Sequence, residues 1–410
     1  MNVKANKNIH RELLIKDVEF QPEIEPDHQK AEGWSYFNDV LGSPRTILAP
    51  MVSKSDTSWR FLMRKLGSAD LSFTPMISVN AASSGFDAHG LEKFFTRSHH
   101  FCGSQPTTLS REDADTPVVI QLAGNDPAEF VNTANVIAEA GLCDGFDINF
   151  GCPQRCAQRH RKGGGIAGYG SILMNNWQLC YNIVRAMHIK CKLPVSVKIR
   201  LLDEDEDTIA FVDAMIKGGA QMVTVHCRPQ FNRCNDSVPR LDIMKTLVER
   251  YPSVPFVYNG GIGSHYTPEY ALEHTGAAAV MVGKLFVFRP QHFVVGNDGY
   301  SPQQLLNIAV EYYNMCVSKH VVIRPLMREF RLHFIDLLSS VFLPRYWTKI
   351  GVECPFELWD NGKQMMMRLS KSLTNVEIEE ILEEVISFYG LSCDIIKSEA
   401  VIAVRKNNYI

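Results

Sequence analysis

The sequence predicts an α/β protein: a TIM-type (β/α)8 barrel followed by a small all-α domain. Three observations carry that expectation. Eight short runs rich in Val and Ile recur between residues 46 and 283, the pattern of parallel strands buried on both faces. Helix-length amphipathic stretches separate most of them. Past about residue 300 the strand pattern stops and only helical periodicity remains. Eight such units over about 250 residues are the arithmetic of a barrel. A doubly wound sheet would need fewer, and the first loop lacks GxGxxG spacing.

Residues 1–40 are polar, with acids at Glu23, Glu25 and Asp27, and are expected to form a loosely packed extension. The barrel is expected over 41–298. Its strands read TILAPM (46–51), DLSFT (70–74), VVIQL (118–122), FDINF (146–150), VSVKI (195–199), MVTVH (222–226), FVYNG (256–260) and AVMVG (279–283). Helices are expected at 127–140, 173–188, 205–217 and 239–249. The first opens with Pro127 after Asn125 and Asp126, and Phe130, Ala134, Ile137 and Ala138 fall on one face. Helices at 302–318, 324–340, 361–371 and 374–389 would build the tail domain over 299–395, leaving a terminal tail at 396–410. The last helix has a capping box, Thr374 to Glu377, and an apolar stripe of Ile378, Ile381, Leu382, Val385 and Ile386.

Among the 410 residues, 45 acids against 42 bases give a net charge of −3, which excludes a globally basic nucleic-acid binder. A local basic face stays possible. Hydrophobic residues at 45% and charged residues at 21% exclude a disordered chain. Eleven scattered cysteines have no disulfide framework, and Cys152 and Cys156 have no partner pair at zinc spacing. Reduced thiols and no metal are the expectation, in the cytoplasm or nucleus. The opening MNVKANKNIHRELLIKDVEF lacks the apolar core of a signal peptide, and no apolar run approaches the roughly 18 residues of a membrane span.

In such a barrel the active site lies at the carboxyl ends of the strands. Strand one ends in Ala49, Pro50 and Met51, strand three in Gln121, and strand four in Asn149, Gly151, Cys152 and Pro153. Strand five carries Lys198 and Arg200, and strand six ends in His226 and Arg228. Strands seven and eight run into Asn259-Gly260-Gly261 and Gly283-Lys284. A lone Gln, Asn or His at such a place is usually structural. A lysine within a barrel strand is costly unless paired, and the glycines sit where barrels bind phosphate through backbone N–H groups. Jointly the set describes a cofactor cradle that suits flavin mononucleotide (FMN).

Seven fragments occur in order: LAPMVSKSDTSWRFLMRKLGSADLSFTPMIS, VVIQLAGNDP, DINFGCPQRCA, YGSILM, VKIR, VTVHCRP and YNGGI. From about residue 40 to about 290 the chain thereby resembles the tRNA-dihydrouridine synthases. SDTSWR, TPM and GCPQ bring it nearest to the eukaryotic type that acts at D-loop positions 16 and 17. The helical tail, with IRPLMREFRLHF, is compatible with that family's RNA-binding domain. The resemblance implies an FMN barrel that reduces the C5–C6 double bond of a tRNA uridine, with NADPH (or NADH) as reductant. It implies that Cys152, in the GCP motif, protonates C5. A thiol near pKa 8.5 is mostly protonated at neutral pH and can serve as an acid. It also implies that Lys198 lies beside the flavin, that Gln121, Asn149 and His226 hydrogen-bond it, and that Pro50 and Met51 line its face. Asn259, Gly260, Gly261, Gly283 and Lys284 fall on the phosphate cup. Two departures stand out. The loop from Cys152 to Gly170 is several residues longer than the family pattern, and Gly261 stands where that family often has a polar residue.

Charge is uneven along the chain. Residues 151–200 hold nine bases, including Arg155, Arg159, Arg161 and Lys162, and no acid. In the tail domain Arg324, Arg328 and Arg331 are spaced to share a helical face. Both stretches are expected to meet tRNA phosphates. The protein is expected to be monomeric. Two other readings remain open at this stage: an FMN oxidoreductase acting on a free pyrimidine-like metabolite, and a tRNA-binding homologue without turnover.

Overall fold

A computed structural model of the chain describes residues 14–79, 116–154, 157–158, 167–232, 237–291, 301–317, 327–343, 361–372, 374–392 and 395. They divide into two compact units. The first takes the described residues of Met1–Ala49, Asp70–Arg97 and Thr116–Val282, and the second those of Pro50–Ala69, Ser98–Asp115 and Gly283–Ile410.

The first unit is a closed parallel barrel. Its strands are β1 Thr46–Leu48, β2 Leu71–Phe73, β4 Val118–Ala123, β5 Gly145–Asn149, β6 Val195–Leu201, β7 Val223–Pro229, β8 Phe256–Asn259 and β9 Ala279–Val282. All eight coincide with runs expected from sequence. Each pairs in parallel with its neighbours: β2 closes onto β4 through Ser72–Val118, and β1 onto β9 through Ile47–Met281. A further two-residue strand, β3 (Ile77–Ser78), pairs with β4. It was invisible to periodicity because two residues show no alternation.

The helices Pro127–Glu139, Trp177–Lys190, Asp205–Lys217 and Asp242–Arg250 match the expected ones within a few residues. The first is capped as its sequence suggests, with Asp126 accepting from the N–H groups of Ala128 and Glu129 behind Pro127. Phe130, Ala134 and Ile137 are buried beneath it. Pro268–Thr275, not expected, is an eight-residue helix capped by Thr267 and closed by left-handed Gly276.

The amino-terminal extension corrects an expectation. Described from residue 14, it is a strap held at many points, not a loose tail. Ile15 bridges Asn176, the Gln21 N–H donates to the Tyr181 hydroxyl, and the Asp27 N–H to the Ile189 carbonyl at 2.9 Å. The Lys30 ammonium bonds the carbonyls of His188 and Cys191, which are the open carboxyl end of the helix Trp177–Lys190. Trp34 Nε1 donates to the Pro252 carbonyl at 2.8 Å. The side chains of the strap stay largely exposed, as its polar composition requires, while its backbone is pinned.

The second unit is helical. The helices Pro302–Val317, Met327–Phe342, Gly362–Lys371 and Asn375–Tyr389 lie close to the expected spans. The Thr374–Glu377 capping box forms, and Ile378, Ile381, Leu382 and Val385 are buried. Tyr312, Tyr313, Phe330 and Phe334 form its aromatic core, with Phe330 and Phe334 edge to face at 4.9 Å. Residues Pro50–Ala69, expected within the barrel, group here with this unit and contribute the helix Thr57–Lys65. Asp56 stands at the N-cap of that helix without capping it. Its carboxylate instead takes the Nε2 of buried His333 and the hydroxyl of Ser58. Trp59 stacks on the His333 ring at 4.1 Å and 3°, and Lys54 pairs with Asp336. Among the described residues, no helix is long and apolar enough to cross a membrane.

Candidate active site

The carboxyl ends of β4 to β8 place their polar side chains in adjoining positions. In register, Gln121 lies beside Asp147, Asp147 beside Ser196, Asn149 beside Lys198, and His226 beside both Arg200 and Asn259. Apolar residues at the alternate positions, among them Ile120, Leu122, Ile148, Val197, Val225 and Tyr258, are buried, so the period-two alternation puts these polar groups on one side of the sheet.

Asp147 is fully buried, and sequence reading did not single it out. Its Oδ2 accepts from Gln121 Nε2 at 2.7 Å and its Oδ1 from the Ser196 hydroxyl at 2.9 Å. Burial pushes its carboxyl above the usual range, against the opposing pull of those hydrogen bonds and of the Lys198 charge. Gln121 Oε1 then accepts from Asn149 Nδ2 at 2.9 Å. Asn149 Oδ1 accepts from the backbone N–H of Gly151 at 3.0 Å and of Cys152 at 2.9 Å. Asn149 therefore shapes the turn that presents Cys152, a role the sequence did not suggest.

Cys152 is half-buried and its carbonyl accepts from the Ser171 N–H at 3.0 Å. A Cβ on Gly170, whose φ is +73°, would stand 2.8 Å from the Cys152 Cβ, so only glycine permits this approach. Arg200 supports the loop from below: its Nε donates to the Gly151 carbonyl at 2.9 Å, and its Nη1 to the carbonyls of Pro229 and Asn232.

Lys198 donates to Asn259 Oδ1 at 2.9 Å, and Asn259 Nδ2 donates to the Met281 carbonyl at 2.7 Å. Burial and the neighbouring Arg200 charge draw the Lys198 pKa down, while Asp147, Cys152 and Cys227 pull it up. His226 Nε2 lies 3.2 Å from Arg228 Nη1. Arginine can only donate, so Nε2 is the acceptor and the imidazole carries its proton on Nδ1. Burial, with the charges of Arg200, Lys198 and Arg228, holds His226 well below its ordinary pKa, in the neutral form.

Gly260 and Gly261 have φ of +119° and +69°. A Cβ on Gly260 would meet His226 at 2.9 Å, and one on Gly261 would meet Pro239 at 2.8 Å. This backbone is bare by necessity and can approach a ligand closely. The donor set comprises one ammonium, an imidazole N–H, side-chain amides and bare glycine backbone. It fits a planar, heteroatom-rich, anionic group such as a flavin mononucleotide.

In the other unit, Pro50 and Met51 open a tight turn in which the Met51 N–H donates to the Ser55 hydroxyl at 2.9 Å. Gly283 precedes the short helix Lys284–Phe288, whose Lys284 is exposed. The expected RNA contacts Arg155, Arg159, Arg161, Lys162 and Arg324 lie outside the described residues, as does Cys156. So does the side chain of Arg328. Arg331 donates to the Ser372 carbonyl at 3.0 Å. Of the other bases in 151–200, Arg185 donates to the Pro22 carbonyl, Lys190 pairs with Asp27 and Lys192 with Glu139. Lys198 and Arg200 are interior, as described above. The basic character of that stretch therefore does not translate into one charged face among its described residues.

The sequence matches the family described as Dihydrouridine synthase (Dus) over residues 47–322. It is 32% identical to a tRNA-dihydrouridine(16/17) synthase [NAD(P)(+)] of Saccharomyces cerevisiae, covering 78% of this chain and 70% of that one. It is 29% identical to a tRNA-dihydrouridine(16/17) synthase [NAD(P)(+)]-like protein of Rattus norvegicus, over 89% of this chain and 71% of that one. A mouse tRNA-dihydrouridine(20a/20b) synthase [NAD(P)+]-like protein is 31% identical, over 67% of this chain and 78% of its own length.

Proposed function

The chain belongs to the dihydrouridine synthase family, and on that premise we propose that it is an FMN-dependent oxidoreductase reducing D-loop uridine in tRNA to dihydrouridine. The observation that carries the reading is the convergence of Gln121, Asn149, Lys198, His226 and Asn259 on one end of a closed barrel, beside a loop that presents Cys152. Bound FMN, reduced by NADPH or NADH, supplies hydride to uridine C6.

The chain's own residues supply the rest. Lys198, held by Asn259, would supply a cation to offset the negative charge that develops on the cofactor. His226 offers Nδ1–H and stays neutral, so it adds a donor without adding charge. Gln121 and Asn149 are amides whose remaining hydrogen-bonding capacity can read the flavin edge or the uracil. Gly260 and Gly261 take the cofactor's phosphate on their bare backbone. Cys152 donates the proton to C5 from Sγ, and its thiolate is later reprotonated from solvent. General acid help of this kind is worth about 10²–10⁴-fold. The uridine must leave the tRNA stack to reach this end of the barrel. Arg155, Arg159, Arg161 and Lys162, with Arg324, Arg328 and Arg331, contact tRNA phosphates. The enzyme acts as a cytoplasmic monomer, with the nucleus as a second compartment.

The test is reoxidation of the NADPH-reduced protein. Reoxidation by tRNA lacking dihydrouridine, and not by free uracil or orotate, supports the proposal. Reoxidation by the free pyrimidine alone would replace it with a metabolite oxidoreductase, and tight tRNA binding without reoxidation with a binding protein.

A further inference from the structure

Gln121 and Asn149 each end in an amide whose oxygen and nitrogen are nearly the same size. Nothing in their shape decides which way each points; only their partners do. The partners form a single chain of directed bonds. Gln121 Nε2 donates to Asp147 Oδ2, Asn149 Nδ2 donates to Gln121 Oε1, and the Gly151 and Cys152 N–H groups donate to Asn149 Oδ1. Each step depends on the one before it. Were Gln121 reversed, two N–H groups would face each other at Asn149. Were Asn149 reversed as well, its NH2 would face two backbone N–H groups and the turn before Pro153 would lose both bonds.

We infer that Asp147 is a positioning residue for Cys152. As the fixed acceptor at the buried end of the relay, it sets the orientation of Gln121, hence that of Asn149, hence the backbone turn that presents the thiol. It is fully buried and acts through Gln121. Its acceptor character does the work, rather than its charge. The Oδ1 side can change without breaking the relay, because the Ser196 hydroxyl also lies 3.1 Å from the Phe146 carbonyl and can donate there instead. The relay oxygen, Oδ2, is separate from that exchange. The inference rests on the reading of Cys152 as proton donor only for its catalytic consequence. The geometric part stands apart from it.

Asn and Leu at position 147 separate the two ideas, since both keep the four side-chain heavy atoms and the Cγ branch of Asp, although Leu is bulkier. Asp147→Asn removes the charge and keeps an oxygen for Gln121, with its NH2 turned toward the Ser196 oxygen. Asp147→Leu removes the acceptor. The readout is hydrogen exchange of the Gly151 and Cys152 amides in the full-length, flavin-loaded protein, resolved by mass spectrometry with fragmentation. Asp147→Leu is expected to speed exchange at both amides about tenfold or more, and to lower kcat with KM little changed. Asp147→Asn is expected to keep exchange within about twofold of the parent. Should Asp147→Leu not fold, Gln121→Leu cuts the relay one step later and is expected to speed the same two amides. Equal acceleration in Asn and Leu variants would assign the effect to charge and overturn the inference. Unchanged exchange in the Leu variants would overturn it too. Because exchange is read without turnover, an active Cys152→Ala variant would sink the proton-donor reading and leave the relay standing.

Discussion

Replacing Asp56 by Asn should weaken the helical unit by about 2 kcal/mol. Burial pushes the Asp56 carboxyl up, but the His333 imidazole, by charge and hydrogen bond, more than reverses this. Ser58 and the Arg60 guanidinium add to it, and the carboxyl settles at about 2 instead of 3.8. At about 1.36 kcal/mol per pH unit, that difference is worth roughly 2.4 kcal/mol. Urea unfolding of the full chain, followed by tryptophan fluorescence, reads the effect, since Trp59 stacks on His333. The depressed carboxyl fixes the pH dependence. Its contribution is complete above 3.8 and is lost as pH falls through about 2. The gap between parent and variant should therefore be full at neutral pH and close over that acid window. A neutral-pH gap under about 0.5 kcal/mol would refute the reasoning. So would a gap that stays constant down to the acid limit of the folded state.

Three further outcomes are expected. Gly170→Ala should lower turnover while leaving flavin content intact, because the new Cβ would crowd Cys152 at 2.8 Å; flavin absorbance and initial rates measure the two separately. Lys198→Met should weaken retention of FMN and lower the flavin reduction potential, through loss of the cation that Asn259 holds; spectroelectrochemical titration of the loaded protein checks it. His226 is held well below its ordinary 6.5, so its neutral form persists and protonation enters only at more acidic pH. The pH–rate profile should then show no limb near 6.5, and a limb there that vanishes in His226→Gln would contradict this.

The barrel was legible because a parallel strand buried on both faces writes itself as an apolar run. The strand ends then named Lys198, His226 and Asn259 without any knowledge of their contacts. Cys152 was proposed only through its motif. Asp147 was not, because one acid inside FDINF gives no local cue to a fully buried carboxylate; its meaning depends on Gln121 and Ser196, which come from other strands. The strap at 14–40 was misread as loose because backbone-to-side-chain pairing leaves no periodic signal. The N-cap acid Asp56 could not be read either, because it serves His333, far away in the chain, and not the helix it begins.

The central claim is that Cys152 on this barrel delivers a proton to tRNA uridine. Mass mapping of dihydrouridine tests it most directly, using tRNA that lacks the modification, NADPH, and the flavin-loaded parent and Cys152→Ala proteins. The parent should add two hydrogens to a D-loop uridine, and the variant, still yellow, should do so more slowly by about 10²-fold at the least. No dihydrouridine with the parent, or equal yield with both, would contradict the claim.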